Sequence, residues 1–330
     1  MGYYLGVDGG GSKTLAIVSD GMGRILGRGR SGCGNHQVGA ALADRNIRKA
    51  AEDALAEAGI GKEEINFALF GLAGADREAD FRILRPMIAS MGFAKTDIVC
   101  DTVIGMRAGT KQSDGVVLIC GSGTNCYGMN SRGDELQVGG FGYAYGDFGG
   151  GNELAVEVFR SVIRSWEGRE AETALTQLTL EALGYPDVER MFHGTLDECG
   201  RPPHTLAKLL FEASPTDAVA REILQRQGTE LGKAASAVIR KLGMEEDAFD
   251  VVLAGSVLSR GKGDFVVPFV EREVKAAAPR ARMRVLELEP AAGALLLAME
   301  RDGLIVEAEV YEQLEQSLSV KARDIEWAMD

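Results

Sequence analysis

The sequence repeats one arrangement of apolar strands and glycine-rich turns at an interval of about 111 residues. In the first copy, the β-branched and apolar segments that predict strands are 3–8, 13–19 and 24–30. In the second copy, the corresponding segments are 115–120, 125–130 and 135–138. A glycine-rich turn follows the first strand of each copy, at 9–12 and 121–124. A repeat of this length decides how many domains the chain forms, so every other feature is interpreted within it.

The repeat continues through the rest of each copy. Helices with apolar residues at helical spacing are predicted at 41–58 and 217–242. Two further strands are then predicted in each copy, at 65–70, 97–100, 249–253 and 283–288. We therefore expect two related α/β domains, 1–112 and 113–330, each with a mixed five-stranded sheet flanked by helices. In each sheet a three-stranded antiparallel meander is extended by parallel strands.

Two segments fall outside the repeat. Residues 152–215 predict a mostly helical insertion in the second domain. The tail 305–330 predicts an amphipathic helix, whose apolar face would carry Val306, Val310, Leu314, Leu318 and Trp327. Because ligands of open α/β sheets bind outside the strand ends, we expect the active site in a cleft between the two domains.

Composition excludes several classes of function. The 36 basic and 49 acidic residues give a net charge of −13, which argues against binding to nucleic acid or to anionic membranes. No apolar segment approaches the ~18 residues of a membrane span, and the first residues lack signal-peptide features, so we expect a cytoplasmic protein. The 5 cysteines and 3 histidines lack the spacing of a disulfide framework or a zinc site.

Glycine is abundant, with 43 residues, and it is clustered in turns. The segment GVDGGGSKT at 6–14 is close to a P-loop, but a P-loop opens a helix whereas this segment opens a strand. The same criterion excludes a dinucleotide-binding fingerprint in either copy. What remains is a pair of hairpin turns whose backbone N–H groups are suited to hold a triphosphate.

Six segments occur in one order along the chain: DGGGSKT at 8–14, GLAGAD at 71–76, DTVIG at 101–105, GSGTN at 121–125, GGFGYAYGD at 139–147 and AGSV at 254–257. Together they resemble the N-acetylglucosamine kinase-like members of the BadF/BadG/BcrA/BcrD ATPase family. That family lies within the actin-like, sugar-kinase and heat-shock chaperone ATPase superfamily. The resemblance implies duplicated ribonuclease H-like (actin-like ATPase) domains, ATP as a substrate, and Mg²⁺.

The resemblance also assigns nucleotide-binding roles to both turns. The phosphate-binding residues would be Asp8, Gly9, Gly10, Gly11, Ser12, Lys13, Thr14, Gly121, Ser122, Gly123 and Thr124. Asp8 would face Mg²⁺, directly or through a water molecule, although a carboxylate that caps the turn is the alternative. The adenosine would lie against Gly255, Ser256 and Val257.

Asp101 is the expected catalytic residue. A hydroxyl acceptor needs a base to take its proton, and the resemblance places that base at Asp101, which could equally cap a helix predicted at 102–111. The implied sugar-binding residues are Asn35, His36, Gly74, Asp101, Asn125, Gly140, Phe141 and Asp147. The repeat places Asn35 and Asp147 at equivalent positions after the third strand of each copy. Their alternatives are an Asn turn and a carboxylate bound by loop amides.

One position departs from the family pattern. Many members continue GDEGS, whereas this chain has GDFGGG at 146–151, with Phe148 in place of a carboxylate. This difference leaves open whether the sugar carries an acetamido, amino or hydroxyl group at carbon 2, and Glu153 is a candidate to compensate.

The leading hypothesis is an ATP-dependent kinase that phosphorylates the 6-hydroxyl of N-acetylglucosamine or a close relative such as glucosamine, and that forms a homodimer. One alternative is an ATPase activator of a radical dehydratase with an iron–sulfur cluster, for which Cys120 and Cys126 flank the second turn. The other is a nucleotide-dependent switch without a sugar substrate.

Overall fold

The computed structural model describes residues 2–197, 200–259 and 265–318. These residues form two five-stranded sheets. The strands are β1 (Tyr3–Gly9), β2 (Thr14–Asp20), β3 (Ile25–Ser31), β4 (Ile65–Leu72), β5 (Thr96–Cys100), β6 (Gly115–Cys120), β7 (Thr124–Met129), β8 (Glu135–Val138), β9 (Asp250–Ala254) and β10 (Arg282–Val285). Each overlaps a predicted strand, so the predicted strand pattern of both copies is confirmed.

The helices lie between the strands and after the last strand. They are α1 (Ala40–Ala58), α2 (Glu78–Ala89), α3 (Asp101–Gly109), α4 (Gly151–Trp166), α5 (Leu175–Leu183), α6 (Val188–Asp197), α7 (Ala207–Ala213), α8 (Ala218–Leu242), α9 (Ser256–Ser259), α10 (Val267–Ala277), α11 (Pro290–Arg301) and α12 (Ala308–Leu318). Helices α4 to α7 occupy the segment predicted as a helical insertion. Helix α1 buries Ile47, Ala51 and Leu55, which share one face at helical spacing.

The first sheet brings the ends of three parallel strands to one edge. Its strand order is β3-β2-β1-β4-β5. Strands β1 to β3 form an antiparallel meander, and β4 and β5 extend it in parallel. Across β4, Asp8 aligns with Gly71 and Leu72 aligns with Cys100. The last residues of β1 and β5 therefore lie at the same end of the sheet, on either side of β4.

The second sheet has the order β10-β9-β6-β7-β8, which is the counterpart of the first. Strands β7 and β8 are antiparallel. Helix α8 packs against β7, β8 and α10. Its side chains therefore reach the segment that follows β8.

Helix α11 packs on the first sheet because its small residues allow close backbone approach. A Cβ on Gly293 would overlap the carbonyl oxygen of Ile104 in α3. A Cβ on Gly6 of β1 would lie 2.7 Å from the carbonyl oxygen of Ala291. Residues of both copies thus contribute to one core.

The chain divides into two compact units. The described residues of the first lie within Met1–Val117 and Arg284–Glu326, and those of the second lie within Leu118–Met283. This division differs from the predicted domains 1–112 and 113–330, which placed α11 and α12 in the second half. The close packing of α11 against β1 and α3 is the physical reason.

The C-terminal segment follows the prediction in part. Val310, Leu314 and Leu318 of α12 are buried on one face, as expected. Val306 precedes the helix, although it packs against the same core, and Trp327 lies outside the described residues. Among the residues described, none of the helices combines the length and the apolar composition needed to cross a membrane.

Candidate active site

Two carboxylates, Asp8 buried and Asp101 partly exposed, lie at the end of the first sheet where β1 and β5 end. Asp8 is the penultimate residue of β1, and Asp101 begins α3 directly after β5. Burial and the charge of Asp101 raise the pKa of Asp8 to about 7, with Lys13 opposing and Glu289 adding to the rise. Burial is also the main cause that raises the pKa of Asp101. Perturbed carboxylates gathered in this way are typical of functional sites.

Cys100 joins Asp101 to a carboxylate that the sequence analysis did not single out. Its Sγ lies 3.2 Å from Oδ1 of Asp76 and 3.3 Å from Oδ1 of Asp101. Burial, then the two carboxylates, raise the pKa of the thiol well above its usual range. Cys100 is therefore a thiol at neutral pH and can donate one hydrogen bond. Asp76 lies within the GLAGAD segment, but nothing in that pattern indicates contact with the end of β5.

The first glycine turn keeps two main-chain donors free. The N–H of Gly10 donates to the carbonyl of Lys13, and the N–H of Gly34 donates to the carbonyl of Gly10, each at 2.9 Å. The N–H groups of Gly11 and Ser12 are exposed and have no acceptor among the residues that the structure describes. Successive free N–H groups of this kind form an anion-binding concavity.

The second turn is closed by the N-terminus of α4. The N–H of Gly151 donates to the carbonyl of Gly121 at 2.8 Å, and the N–H of Asn152 donates to that of Ser122 at 3.1 Å. Within residues 2–197, 200–259 and 265–318, the N–H groups of Ser122 and Gly123 have no acceptor. The two turns thus offer similar free donors although different segments close them.

Three of the turn glycines are not required by the packing of their own units. At Gly11, Gly121 and Gly123, an added Cβ would meet no described atom within 4 Å, and φ is outside the left-handed region. By contrast, a Cβ on Gly34 would lie 2.8 Å from Cα of Gly9. Glycine at positions 11, 121 and 123 is what close approach of a ligand to the main chain would require.

The side chains of the first turn differ in availability. The ammonium group of Lys13 is exposed and lies 3.4 Å from Oε2 of Glu289. The hydroxyl of Thr14 is buried and donates to the carbonyl of Gly32 at 2.8 Å. The structure therefore gives the Thr14 hydroxyl a role within the fold, and its contact with phosphate stays a prediction. On the second turn, Thr124 begins β7 and remains partly exposed.

Asn35 and Gly74, two of the predicted sugar-binding residues, lie together in the first unit. Oδ1 of Asn35 accepts from the N–H of Gln37 at 2.8 Å, and a Cβ on Gly74 would lie 2.9 Å from the same oxygen. The ring of His36 is buried, with Nε2 3.2 Å from Oδ1 of Asp80, and its contact with a sugar stays a prediction. Gln37 was not predicted, but its amide donates to the carbonyl of Gly74 at 3.3 Å.

Asp147 organises the glycine-rich loop of the second unit. Its Oδ2 accepts from the N–H groups of Gly140, Phe141 and Gly142, at 3.1, 2.9 and 2.6 Å. These bonds are the alternative role considered for this carboxylate. Asn125 lies against the same loop, since a Cβ on Gly140 would be 2.8 Å from its Cγ, and its Oδ1 is buried without a partner among the described residues. The Phe141 ring is about half exposed.

A cavity of about 300 Å³ in the second unit borders this loop and is lined by Asn125, Asp147, Phe148 and Gln227. Gln227 of α8 is fully buried, and its amide donates to the carbonyl of Gly149 at 2.8 Å. This contact was not predicted, because α8 gives only a helical pattern in the sequence.

The Phe148 ring packs against a cationic side chain and not against an acidic one. The guanidinium of Arg226 lies over the Phe148 ring, 4.7 Å from its centroid. Glu153 does not take the place of the missing family carboxylate at this ring, because its Oε2 accepts from the N–H of Gly150 at 3.0 Å and caps α4.

The segment predicted to contact adenosine follows β9. Gly255 has φ of 88°, and a Cβ there would overlap the carbonyl oxygen of Cys120, directly before the second turn. Ser256 begins α9 and is partly exposed, whereas the Val257 side chain is buried. Any contact between Val257 and a nucleotide would therefore use its main chain.

The chemistry around Asp8 fits Mg²⁺. This ion prefers oxygen ligands and is commonly held by one or two carboxylates together with waters and substrate phosphates. Among the described residues there is no cluster of three or more His, Cys, Asp or Glu side chains that could hold a metal by themselves. The raised pKa of Asp8 reflects burial and negative charge from Asp101 and Glu289, which a divalent cation would compensate.

The sequence profile of the BadF/BadG/BcrA/BcrD ATPase family matches residues 5–298. The chain belongs to this family. Membership confirms the resemblance that the six sequence segments carry. Because the matched residues extend from β1 into α11, they include every candidate site residue of both units.

This BadF/BadG/BcrA/BcrD family member is similar to two curated sugar kinases. It is 28% identical over 312 residues to the N-acetyl-D-glucosamine kinase of Dictyostelium discoideum, covering 90% of this chain and 97% of that protein. It is 28% identical over 269 residues to the N-acetylmuramic acid/N-acetylglucosamine kinase of Clostridium acetobutylicum, covering 78% and 86%.

A solved structure shares the fold of this family member. The crystal structure of a candidate N-acetylglucosamine kinase from Chromobacterium violaceum matches with a TM-score of 0.68 at 21% sequence identity. The match covers 90% of this chain and 99% of that one. The two mixed sheets with flanking helices therefore have the duplicated actin-like fold that the sequence predicts.

The described cysteines of this family member are spread over both units. Cys33 is partly buried, and Cys100, Cys120 and Cys126 are buried. Burial raises the pKa of Cys120 to about 12 and also raises that of Cys126. Buried neutral thiols of this kind behave as small apolar side chains. Cys199 lies outside the described residues.

Proposed function

We propose that the protein is an ATP-dependent amino-sugar kinase that phosphorylates the 6-hydroxyl of N-acetylglucosamine or of a close relative such as glucosamine. The observation that carries the proposal is the pair of carboxylates with raised pKa values, Asp8 and Asp101, at the same end of the first sheet on either side of β4. Family membership supports ATP as the phosphoryl donor, and the curated relatives support an amino sugar as the acceptor. A homodimer and a cytoplasmic location remain predictions.

In this proposal, Asp101 is the general base. The O–H bond of the sugar breaks and its proton passes to Asp101 while the sugar oxygen bonds to the γ-phosphorus and ADP leaves. Burial raises the pKa of Asp101 and so makes its carboxylate a stronger proton acceptor than an exposed aspartate. Its position at the start of α3 also holds the carboxylate near backbone N–H groups, including that of Thr102.

The free N–H groups of the two turns would hold the phosphates. Gly11 and Ser12 supply them in the first unit, and Ser122 and Gly123 supply them in the second. Main-chain donors need no rearrangement as negative charge develops, so they suit phosphoryl transfer. Bound with ATP and held by Asp8, Mg²⁺ would neutralise charge on the phosphates.

The sugar would contact the polar loop of each unit. Asn35 beside Gly74 offers an amide in the first unit. In the second unit, Asp147 receives three N–H bonds on Oδ2, which leaves Oδ1 for sugar hydroxyls. A site of fixed polar groups discriminates strongly against analogues that lack the matching hydroxyls, because its buried groups would lose their partners.

The proposal is tested by ADP release in a coupled assay with Mg·ATP. The acceptor panel is N-acetylglucosamine, glucosamine, N-acetylmannosamine, N-acetylmuramic acid, glucose and no sugar. We expect one amino sugar to stimulate ADP release strongly and the product to carry a 6-phosphate, as read by NMR. The same panel shows which carbon-2 substituent is accepted beside Phe148 and Arg226.

Two outcomes would contradict the proposal. Steady ATP hydrolysis that no sugar alters would favour the nucleotide-dependent switch. A coloured protein with a charge-transfer band would favour the iron–sulfur activator, against which the burial of Cys120 and Cys126 speaks.

A further inference from the structure

We propose that Cys100 is a positioning residue for Asp101, and that its thiol hydrogen turns between Asp101 and Asp76 as Asp101 loses or gains a proton. The inference rests on the proposed function, in which Asp101 is the base. It assigns a role in the reaction to Cys100 and to Asp76, two residues outside the predicted site.

The geometry allows only one of two hydrogen bonds at a time. Sγ of Cys100 is 3.2 Å from Oδ1 of Asp76 and 3.3 Å from Oδ1 of Asp101, but a thiol has a single hydrogen. The Cys100 side chain is buried, so its thiol hydrogen is directed to one of these two acceptors and not to bulk water. Rotation of the S–H bond about Cβ–Sγ exchanges the two acceptors without moving any heavy atom.

The charge of Asp101 decides which bond forms. While Asp101 is ionised, a hydrogen bond from the thiol stabilises its carboxylate. Once Asp101 has taken the proton of the acceptor hydroxyl, its carboxyl becomes a donor, and the sulfur can accept from it while donating to Asp76. The S–H bond is not broken, so no proton passes through sulfur. Asp101 therefore keeps the thiol as a partner in each charge state, and the buried thiol hydrogen is never left unpaired, which would be costly.

The surrounding titratable groups agree with this assignment. Those that act on Asp101 are Cys100 from β5 and Asp76 from the segment after β4, and the charge of Asp101 in turn raises the pKa of Asp8 on β1, on which Lys13 and Glu289 also act. The thiol lowers the pKa of Asp101, whereas Asp76 raises it. The two neighbours thus act in opposite directions on one carboxylate.

The test uses the opposite effects of Cys100 and Asp76 on the pKa of Asp101. The pKa of the Asp101 carboxyl is measured by ¹³C NMR on aspartate-labelled protein, with Asp101→Asn to assign the signal, and the pH profile of kcat is recorded alongside. We expect Cys100→Ala to raise the pKa of the Asp101 carboxyl, and to move the pH profile of kcat to higher pH, by about one unit, because a donor to the carboxylate is lost. Asp76→Asn should move both to lower pH, because a neighbouring negative charge is lost.

Two further variants separate positioning from packing. Cys100→Ser keeps a donor of similar size and should stay within about 0.3 unit of the wild type. Val99→Ala, at the preceding residue of β5, removes apolar packing and should leave the profile unchanged. The KM values for ATP and sugar should change by less than about twofold in all variants, because none of these side chains is proposed to bind substrate.

The inference is overturned if Cys100→Ser behaves like Cys100→Ala, if Val99→Ala gives the same shift, or if Cys100→Ala and Asp76→Asn shift the carboxyl in the same direction. Failure of the proposed function would give a different experimental result. In that case the wild type phosphorylates no sugar, while the NMR titrations still report whether Cys100 and Asp76 act on Asp101.

Discussion

The two glycine turns share a sequence pattern but differ in the residue that precedes them. Before the first turn stands Asp8, a buried carboxyl whose pKa is raised to about 7. Before the second stands Cys120, a buried thiol whose pKa burial raises to about 12 and which receives a hydrogen bond from Gln227. Both turns keep free N–H groups, but the residue before the first turn is a carboxylate and the residue before the second is a neutral thiol.

This difference indicates a division of labour between the copies. The main-chain donors come from turn geometry, so each copy of the turn supplies a set of them at little cost in folding free energy. Buried carboxylates are costly, because burial disfavours their charged form. We therefore expect variants of the first copy to change chemistry and charge, and variants of the second turn to change the binding of phosphate or the stability of the fold.

The largest effect is expected at Asp101, where Asp101→Asn removes the proposed base. kcat should fall by roughly 10²–10⁴-fold, while ATP affinity changes by less than about threefold. The measurement is steady-state ADP release together with ATP titration. Asp97→Asn is the matched control. Asp97 lies on the same strand, β5, but away from the site, and its Oδ2 lies 3.2 Å from the guanidinium of Arg301. Normal turnover in Asp101→Asn would remove the base assignment.

The next effect is a gain in stability from Asp8→Asn. The pKa of Asp8 is about 7 in the folded protein and lower when unfolded, so between these values the folded state binds the extra proton and loses stability as pH rises. The variant should match the wild type near pH 4 and exceed it by up to about 4 kcal/mol above pH 7. Thermal unfolding against pH measures this. Mg²⁺ should stabilise the wild type and not the variant, and a parallel pH response of both would contradict the prediction.

A smaller loss of stability is expected from Gly150→Ala. The new Cβ would lie 2.5 Å from the carbonyl oxygen of Gly123 and 2.7 Å from that of Gly121, so α4 must move away from the second turn. We expect a loss of about 1–3 kcal/mol in the free energy of unfolding. Gly123→Ala is the control, because it places a methyl group at the same turn in open space. Equal unfolding midpoints for the two variants would show that α4 does not close this turn.

The smallest effects are expected from Gly11→Ala and Gly123→Ala. Neither methyl group meets a described atom within 4 Å, so the free energy of unfolding should be unchanged or raised by about 0.5 kcal/mol. The KM for ATP should rise about tenfold in both, because each methyl group blocks close approach of a phosphate. An unchanged KM in one variant alone would show that only the other turn holds the nucleotide.

Much of the fold was predictable because it depends on local patterns. Apolar alternation, turn residues and the repeat located every described strand, and α8 and α1 were found by their helical spacing. The strand ends that carry Asp8 and Asp101 followed from the same patterns. The placement of α11 did not, because the small residues around Gly293 indicate close packing without naming the partner, which proved to be α3 and β1.

The sequence by itself determined the duplicated sheets, the two glycine turns and the aspartates beside them, since these depend on neighbours within a few residues and on a repeat that can be counted. Tertiary structure alone decided that Thr14 and His36 turn inward, that α4 closes the second turn, and that Cys100 meets Asp76 across the sheet edge. Those contacts join residues far apart in the chain. Their geometry depends on packing and on the burial of charge, neither of which a linear pattern specifies.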